Sequence, residues 1–543
     1  MEPAGLAIGV IGLTSLFDSC LKLYEHVSNA KRYPEDCKRQ VLFLDLEKSR
    51  FDLIRIEILQ GASNTFDDGA NLSAATNLQS EYLGRILSSV QGVLTEAQAI
   101  VEKYHNQKPD PKRKLRNFIS SKLHTSQLSW IADDKNRLKE LIESLRQLNG
   151  YIEQILPETS RQRLQLGFGA AVVLSADINR LREIQKEGYE DLEQSAAVRI
   201  AKLSINSAPV VSPPSSQDLR IHNPCIQQRR PLEGSFGVYS SALYETGSSG
   251  QPNRRGVLLE RREAFATVDS IEAAERRLNH LVGAVQSMQL PSTKQSQANS
   301  TVASNPVGFG VPRCLGWIAP ESSELDVIEL VYEYPQDTTQ RPVSLHMLLQ
   351  RLQSSDRPSL GARFKLALRL AHYYASFISV GYFHKGLHSH NVFFFNDTLD
   401  PYIVGCAESR PEIISQHSSP LSDAIEDREL YVPWETVMAM EETDPSKRTR
   451  WTAATDIYGL GVMLVEIGRW SCASEAWNAA SLYDFHRTIL PCLVDELGYQ
   501  MGDIYRTVVR ACLTAGEFGA ASELGVWQSY ADKVLKPLES CRA

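Results

Sequence analysis

The sequence predicts a multidomain chain, an all-α helical bundle over residues 1–205 followed by an α+β domain over residues 225–540. Three observations carry this. A chain of 543 residues exceeds what one hydrophobic core supports. Through the first part, apolar residues recur at three- and four-residue steps, the mark of helices that bury one stripe. Beyond a Pro/Ser-rich stretch at 206–224 the pattern changes to short β-like runs and then to further helices.

In the first part, "VLFLDLEKSRFDLIRIEILQ" sets Leu42, Leu46, Leu53, Ile54 and Ile58 on one helical stripe. "LSWIADDKNRLKELIESLRQLNGYIEQIL" does the same through Leu138, Leu141, Ile142, Leu145, Leu148, Ile152 and Ile155, and Pro157 stops it. A third helix is expected from Asn77 to Lys103 and a fourth from Ala170 to Leu203. Each stripe must be covered by another, which makes a bundle. In the second part "GVLLERR", "VIELVYEY", "NVFFF" and "PYIVG" read as strands. A long apolar helix is expected from Ala362 to Phe383, more helices from Asp456 onward, and a polar loop over 292–308.

Composition narrows the function. The hydrophobic share is 43% and the charged share 22%, with a formal charge of -8, which gives no support to nucleic-acid binding. A local basic run, Lys108 to Lys122, suits either solvent or an anionic lipid surface. Nine scattered cysteines without a CxxC pair read as reduced thiols of a cytoplasmic protein. "GLAIGVIGLTSLF", residues 5–17, is apolar but lacks the basic start and cleavage site of a secretory signal. Its thirteen residues extend about 20 Å as a helix, short of the roughly 30 Å of a bilayer core.

Several motifs of the second part stand in the order found in protein kinases. "GSFGVY" at 234–239 is similar to the end of a glycine-rich phosphate loop, with Gly234 and Gly237 as its turn residues. "LVYEYP" at 330–335 resembles the strand that enters the interlobe hinge. "HKGLHSHNVFFF" at 384–395 has the rhythm of a catalytic loop, with His384, Leu387 and Asn391 in register. "YVPWE", ending in Glu435, is similar to the close of an activation segment, and "TDIYGLGVMLVEI" places Asp456 where it would hold the catalytic loop from below. The part from 225 to 540 thus resembles a two-lobed α+β protein-kinase-like domain.

The departures fall on the chemistry. Gly386 stands where the resemblance calls for the base carboxylate, and Gly405, in "GCA", where it calls for the magnesium carboxylate. The strand lysine is replaced by Glu260 or Arg262, depending on register. The residues therefore point to a pseudokinase without catalytic residues. No cofactor is required, and residual ATP binding through Gly234, Gly237, Arg262 and Asn391 stays open. His384, Leu387, Glu435 and Asp456 read as structural. His388 and His390 form a His-x-His, but no Cys or acidic residue at suitable spacing joins them, so no metal site is expected.

The opening "MEPAGLAIGVIGLTSLFDSCLKLYEHV", with "LFLDLEKSRFDLIRIEI" and "LSWIADDKNRLKELIESLRQLN", resembles the fungal HeLo domain of prion-inhibition and heterokaryon-incompatibility proteins. That resemblance implies a bundle whose N-terminal segment, through Leu6, Ile8, Val10, Ile11, Leu13, Leu16 and Phe17, leaves the fold to meet membrane lipid when triggered. It implies a programmed cell-death protein relocating from cytoplasm to membrane, with a protein partner or trigger acting through the kinase-like part and with homo-oligomer formation open. Two alternatives remain: a non-lytic signalling scaffold, and an atypical active serine/threonine kinase binding ATP.

Overall fold

A computed structural model describes residues 10–28, 37–66, 74–105, 132–206, 219–221, 225–246, 253–263, 271–289, 308–319, 327–335, 338, 340–351, 357–406, 427–440, 451–477, 480–518 and 522–543. The runs 108–122 and 292–308 lie outside this set except for Gly308, as does the stretch 207–218. The chain forms two compact units, Met1–Phe168 and Gly169–Ala543.

The first unit is helical. Helices α1 (Val10–Ser28), α2 (Lys38–Phe66), α3 (Ala74–His105) and α4 (Ala132–Ile155) share one apolar core. Leu13, Phe17, Cys20, Tyr24 and Val27 form the buried stripe of α1, four- and three-residue steps apart. They pack on Phe51 and Ile54 of α2, Leu87, Val90 and Leu94 of α3, and Leu138, Leu145 and Ile152 of α4. The Phe17 and Phe51 rings meet at 5.3 Å, and Tyr24 approaches Phe51 at 5.4 Å. Inside this core Asn149 donates to the carboxylate of Glu47 at 2.8 Å, while Arg50 and Glu153 pair through two bonds of 2.5 Å.

Beyond Pro157, α5 (Glu158–Val173) contains the division between the units. The single helix expected over 170–203 is instead the end of α5, then α6 (Ile178–Glu187) and α7 (Glu190–Asn206). Two local features interrupt it. Asp177 caps α6 by accepting from the Arg180 amide at 2.8 Å, and Gly188 ends it in the left-handed region at φ 70°. Both helices lie in the second unit, where α7 packs on a helix of that unit, α8 (Ile271–Ser287). Arg199 of α7 donates to Glu523 at 2.7 Å and to the Val380 carbonyl at 3.2 Å, and Lys202 donates to the Gly381 carbonyl.

The second unit joins a sheet to a helical mass. Strands β1 (Ile226–Pro231), β2 (Tyr239–Thr246), β3 (Asn253–Glu263), β4 (Cys314–Ile318) and β5 (Val327–Glu333) form an antiparallel sheet in the order β1-β2-β3-β5-β4. Its apolar face carries Ala242, Val257, Leu259, Ile318 and Val331. A small second sheet follows, β6 (Val343–Ser344), β7 (Val392–Phe394) and β8 (Tyr402–Ile403), with β7 in the middle. The short helix α9 (Leu345–Arg351) continues directly from β6.

The helical mass centres on α10 (Leu360–Ser379) and, after α11 (Trp434–Met440), α12 (Ala453–Arg469). Fifteen of the seventeen residues of α12 are buried, so this helix is apolar around its circumference and not on one stripe. Three buried tyrosines here find a backbone acceptor: Tyr374 the Ala453 carbonyl at 3.2 Å, Tyr505 that of Leu464 at 2.8 Å, and Tyr530 that of Ala371 at 2.9 Å. The expected strands at 256–262, 327–334, 391–395 and 401–405 and the helix at 362–383 are all present within a few residues.

Candidate functional site

The second unit closes a cleft between its main sheet and the loop 384–391. Antiparallel pairing sets Tyr239 of β2 directly opposite Glu260 of β3, and the two-residue period of a strand puts Arg262 on the same face. All three are drawn into one polar cluster. Arg262 donates to Glu260 Oε1 at 3.0 Å, while Tyr332 and the Gly405 amide donate to Oε2 at 2.9 and 3.0 Å. Tyr239 donates to Asn391 Oδ1 at 2.6 Å. Burial and the neighbouring Glu260 hold the Tyr239 phenol protonated, well above its ordinary range. Burial would lower the basicity of Arg262, but the adjacent Glu260 more than offsets it.

The loop itself is held from both sides. Asp456, at the start of α12, accepts from the backbone amides of His384 and Lys385 at 2.7 and 3.0 Å and from the Trp451 indole at 2.8 Å. Burial still raises its carboxyl to about 6. Lys385 sits at φ 62°, an uncommon state for a residue with a side chain, and Arg428 donates to its carbonyl at 3.0 Å. His384 is fully buried against Phe377, and burial lowers it to about 3, so it is a neutral packing group. Leu387 is buried. Asn391 Nδ2 donates to the Gly386 carbonyl at 2.7 Å and lies 3.1 Å from His388 Nε2, so the loop takes the nitrogen end of that amide while Tyr239 takes the oxygen end.

The glycines fit this closure. Gly405 adopts φ +92°, and a Cβ there would collide with the side-chain amide of Asn391. Gly234 adopts φ +66°, where a Cβ would collide with the Met347 sulfur of α9; Gly237, at φ +79°, meets nothing. The turn from Gly234 to Gly237 therefore rests on α9, with Arg351 paired to Glu233. A cavity of about 200 Å³ remains, lined by Gly234, Tyr239, Arg341, Met347 and His390 among others. It is smaller than the roughly 300 Å³ at which small-molecule pockets begin. Beside it, Asn391 is bonded to Tyr239 and Arg262 to Glu260 within the protein.

The remaining predicted residues separate. Glu435 is exposed and pairs with Arg487 at the surface, away from the buried set. The buried carboxyl of this region is Glu466, which accepts from Tyr431 at 2.8 Å and from the Ala473 amide at 2.9 Å. In the first unit Leu13 and Phe17 are core residues and Leu16 packs beside them. Val10 and Ile11 open α1, and Leu6 and Ile8 lie outside the described residues. His388 and His390 do not face one common point: His390 turns to His346 of α9 and to Asp427. Sequence reasoning missed Tyr239, His346 and Asp427. The aromatic residue two places after Gly237 was the one local signal for the first of them.

No helix among the described residues is both long and apolar enough to cross a membrane. No curated protein matches the chain. Residues 5–184 match the family model HeLo, prion-inhibition and propagation, whose helical character the first unit shares. The N-terminal part of the chain is therefore a HeLo domain, a module associated with cell-death and incompatibility proteins.

Proposed function

We propose that the chain is a regulated, membrane-targeting cell-death protein of the heterokaryon-incompatibility type, in which a catalytically empty kinase-like domain controls the HeLo bundle. The HeLo match over residues 5–184 is the observation that carries this reading. Motif order along 234–467, a five-stranded antiparallel sheet ahead of a helical mass, and the Asp456 grip on loop 384–391 support a kinase-like second unit. Its cleft supports a role without phosphoryl transfer, since that reaction depends on carboxylates that place magnesium and the attacking hydroxyl. Gly386 and Gly405 supply neither, and the Glu260 carboxyl faces the Gly405 amide where phosphates would call for a cation.

In the resting protein Leu13 and Phe17 are in the core, so membrane contact requires α1 to leave it. With no membrane-crossing helix among the described residues, the released segment lies in the headgroup boundary as an amphipathic helix or acts as an oligomer. A protein partner at the kinase-like domain triggers the release, and no cofactor takes part. The test is dye release from anionic liposomes by residues 1–184 and by the full chain. Release by the fragment and silence of the resting full chain is the expected result. Failure of both at high protein concentration overturns the lytic reading and leaves the scaffold. Radiolabel transfer from ATP above background would establish the kinase alternative.

A further inference from the structure

Within the second unit, three donor side chains from distant stretches converge in a buried spot beside the cleft. His346 lies on α9, His390 in the turn before β7, and Asp427 at the start of the turn 427–431. His390 Nε2 is 2.9 Å from Asp427 Oδ1, and His346 Nδ1 is 3.9 Å from Asp427 Oδ2. The two imidazoles stack at 3.7 Å with a 20° tilt. One coordinating atom from each of the three lies within 4.8 Å of the others. Cys472 stands next to them, its Sγ 3.7 Å from His346 Nδ1.

A His–Asp hydrogen bond alone accounts for only part of this. It pairs His390 with one oxygen, yet His346 turns its Nδ1 toward the other oxygen at a distance too long for a hydrogen bond. His390 Nδ1 has no partner among the described residues. Two imidazoles and a buried carboxylate are the donor set of a borderline divalent ion. Tetrahedral zinc, with ligands at about 2.0–2.2 Å, sets them roughly 3.3 Å apart, close to the 2.9 and 3.9 Å distances to Asp427, and the two stacked rings must open toward the ion to ligate it in their own planes.

We propose that His346, His390 and Asp427 bind a zinc-class divalent ion, with Cys472 or water in the fourth position. The proton that His390 Nε2 shares with Asp427 moves to its unpartnered Nδ1, so the ring stays neutral while Nε2 ligates. If Cys472 joins, its thiol proton goes to solvent and the thiolate bonds the ion. His390 also lines the 200 Å³ cavity, which offers a route from solvent. The ion staples α9, the loop before β7 and the turn at 427, whatever the unit does to the bundle.

The test uses the full chain, stripped with a chelator and titrated with Zn²⁺, then with Co²⁺ as a spectroscopic stand-in. One equivalent retained after dialysis, a higher melting temperature and visible tetrahedral Co²⁺ bands are expected. Asp427→Asn preserves the shape and the bond to His390; it should weaken Zn²⁺ binding by more than the ~10–100-fold that loss of an outer partner costs. His346→Gln should do the same, while His280→Gln and Cys492→Ser should not. No stoichiometric ion on the unsubstituted chain, or unchanged binding in Asp427→Asn, overturns the site. A sulfur-to-cobalt charge-transfer band that Cys472→Ser removes identifies the fourth ligand, and its absence assigns that place to water.

Discussion

Tyr239 and Asn391, 152 residues apart, share a buried hydrogen bond of 2.6 Å that ties the main sheet to the loop 384–391. The bond occupies the Asn391 amide oxygen, so that acceptor is already paired within the protein. Phenylalanine at 239 leaves that acceptor buried and unpaired, at a cost of about 1–3 kcal/mol. Denaturant titration of Tyr239→Phe should show this loss with an unchanged slope. Mg·ATP should leave the melting temperature of both proteins where it was; a rise of several degrees in the unsubstituted chain would show that the cleft opens to nucleotide.

A carboxylate placed at position 405 should not create phosphotransfer. Gly405 occupies the left-handed region, and its missing Cβ makes room for the Asn391 amide. Gly405→Asp must therefore move Asn391 and strain its own backbone, a loss of roughly 1–3 kcal/mol for the φ alone. We expect lower stability and no phosphotransfer with magnesium. A variant that folds as firmly as the parent and labels itself from ATP would refute this account of the cleft.

Glu466 gives the second unit a pH dependence. Burial, only partly countered by the bonds from Ala473 and Tyr431, pushes its carboxyl up from 4.5 to about 8. A carboxyl raised in the folded state holds its proton more tightly there than in the unfolded chain. Its contribution to stability is complete below about pH 4.5 and is lost as pH rises toward 8. Glu466→Gln keeps an acceptor for Tyr431 and Ala473 and cannot ionise. Its unfolding free energy should fall less between about pH 5 and about pH 8, by an amount on the order of a few kcal/mol. Parallel declines in the two proteins would remove Glu466 from the explanation.

Helix α7 is fastened to the second unit by Arg199 and Lys202 meeting Glu523. Burial opposes the charge of Glu523, but these two cations hold its carboxyl below the ordinary range. Its share of stability is thus present above the ordinary carboxyl range and lost as pH falls through the lowered value. Arg199→Ala should weaken the attachment by about 1–3 kcal/mol, the worth of bonds to charged groups. Amide exchange within 190–206 should accelerate while that of α12 stays slow. Unchanged exchange in α7 would mean that apolar packing on α8 holds it without the ion pairs.

The sequence made the parts with clean periodicity legible. The stripes of α2 and α4 and the runs of β3 and β5 are visible because each buries a regular face. Strand β1 is not, since only Ile226 of its six residues is buried and the rest reads as polar loop. The break at Gly188 was hidden because apolar residues continue on both sides of it, and a lone glycine is compatible with a helix interior. In the cleft, the bonds among Tyr239, Glu260 and Asn391 were not legible, because these residues meet only after the sheet and loop have folded together. His390 stands in a local His-x-His from which no metal site is expected, while the residues it meets lie 44 residues before it and 37 after it in the chain.

Gly188 also bears on where the chain can be cut. The family match ends at 184, within α6, while α7 already spends its buried face on α8 and its cations on Glu523. A splice at the Pro/Ser stretch would transplant α7 without the surface it covers, leaving an apolar face bare in one product and a bare groove in the other. A splice at the left-handed turn parts α6 from α7, two helices of the second unit that pack on each other. For shuffling such modules, by evolution or at the bench, both cuts break contacts of the second unit, whose start lies upstream of Gly188, within α5.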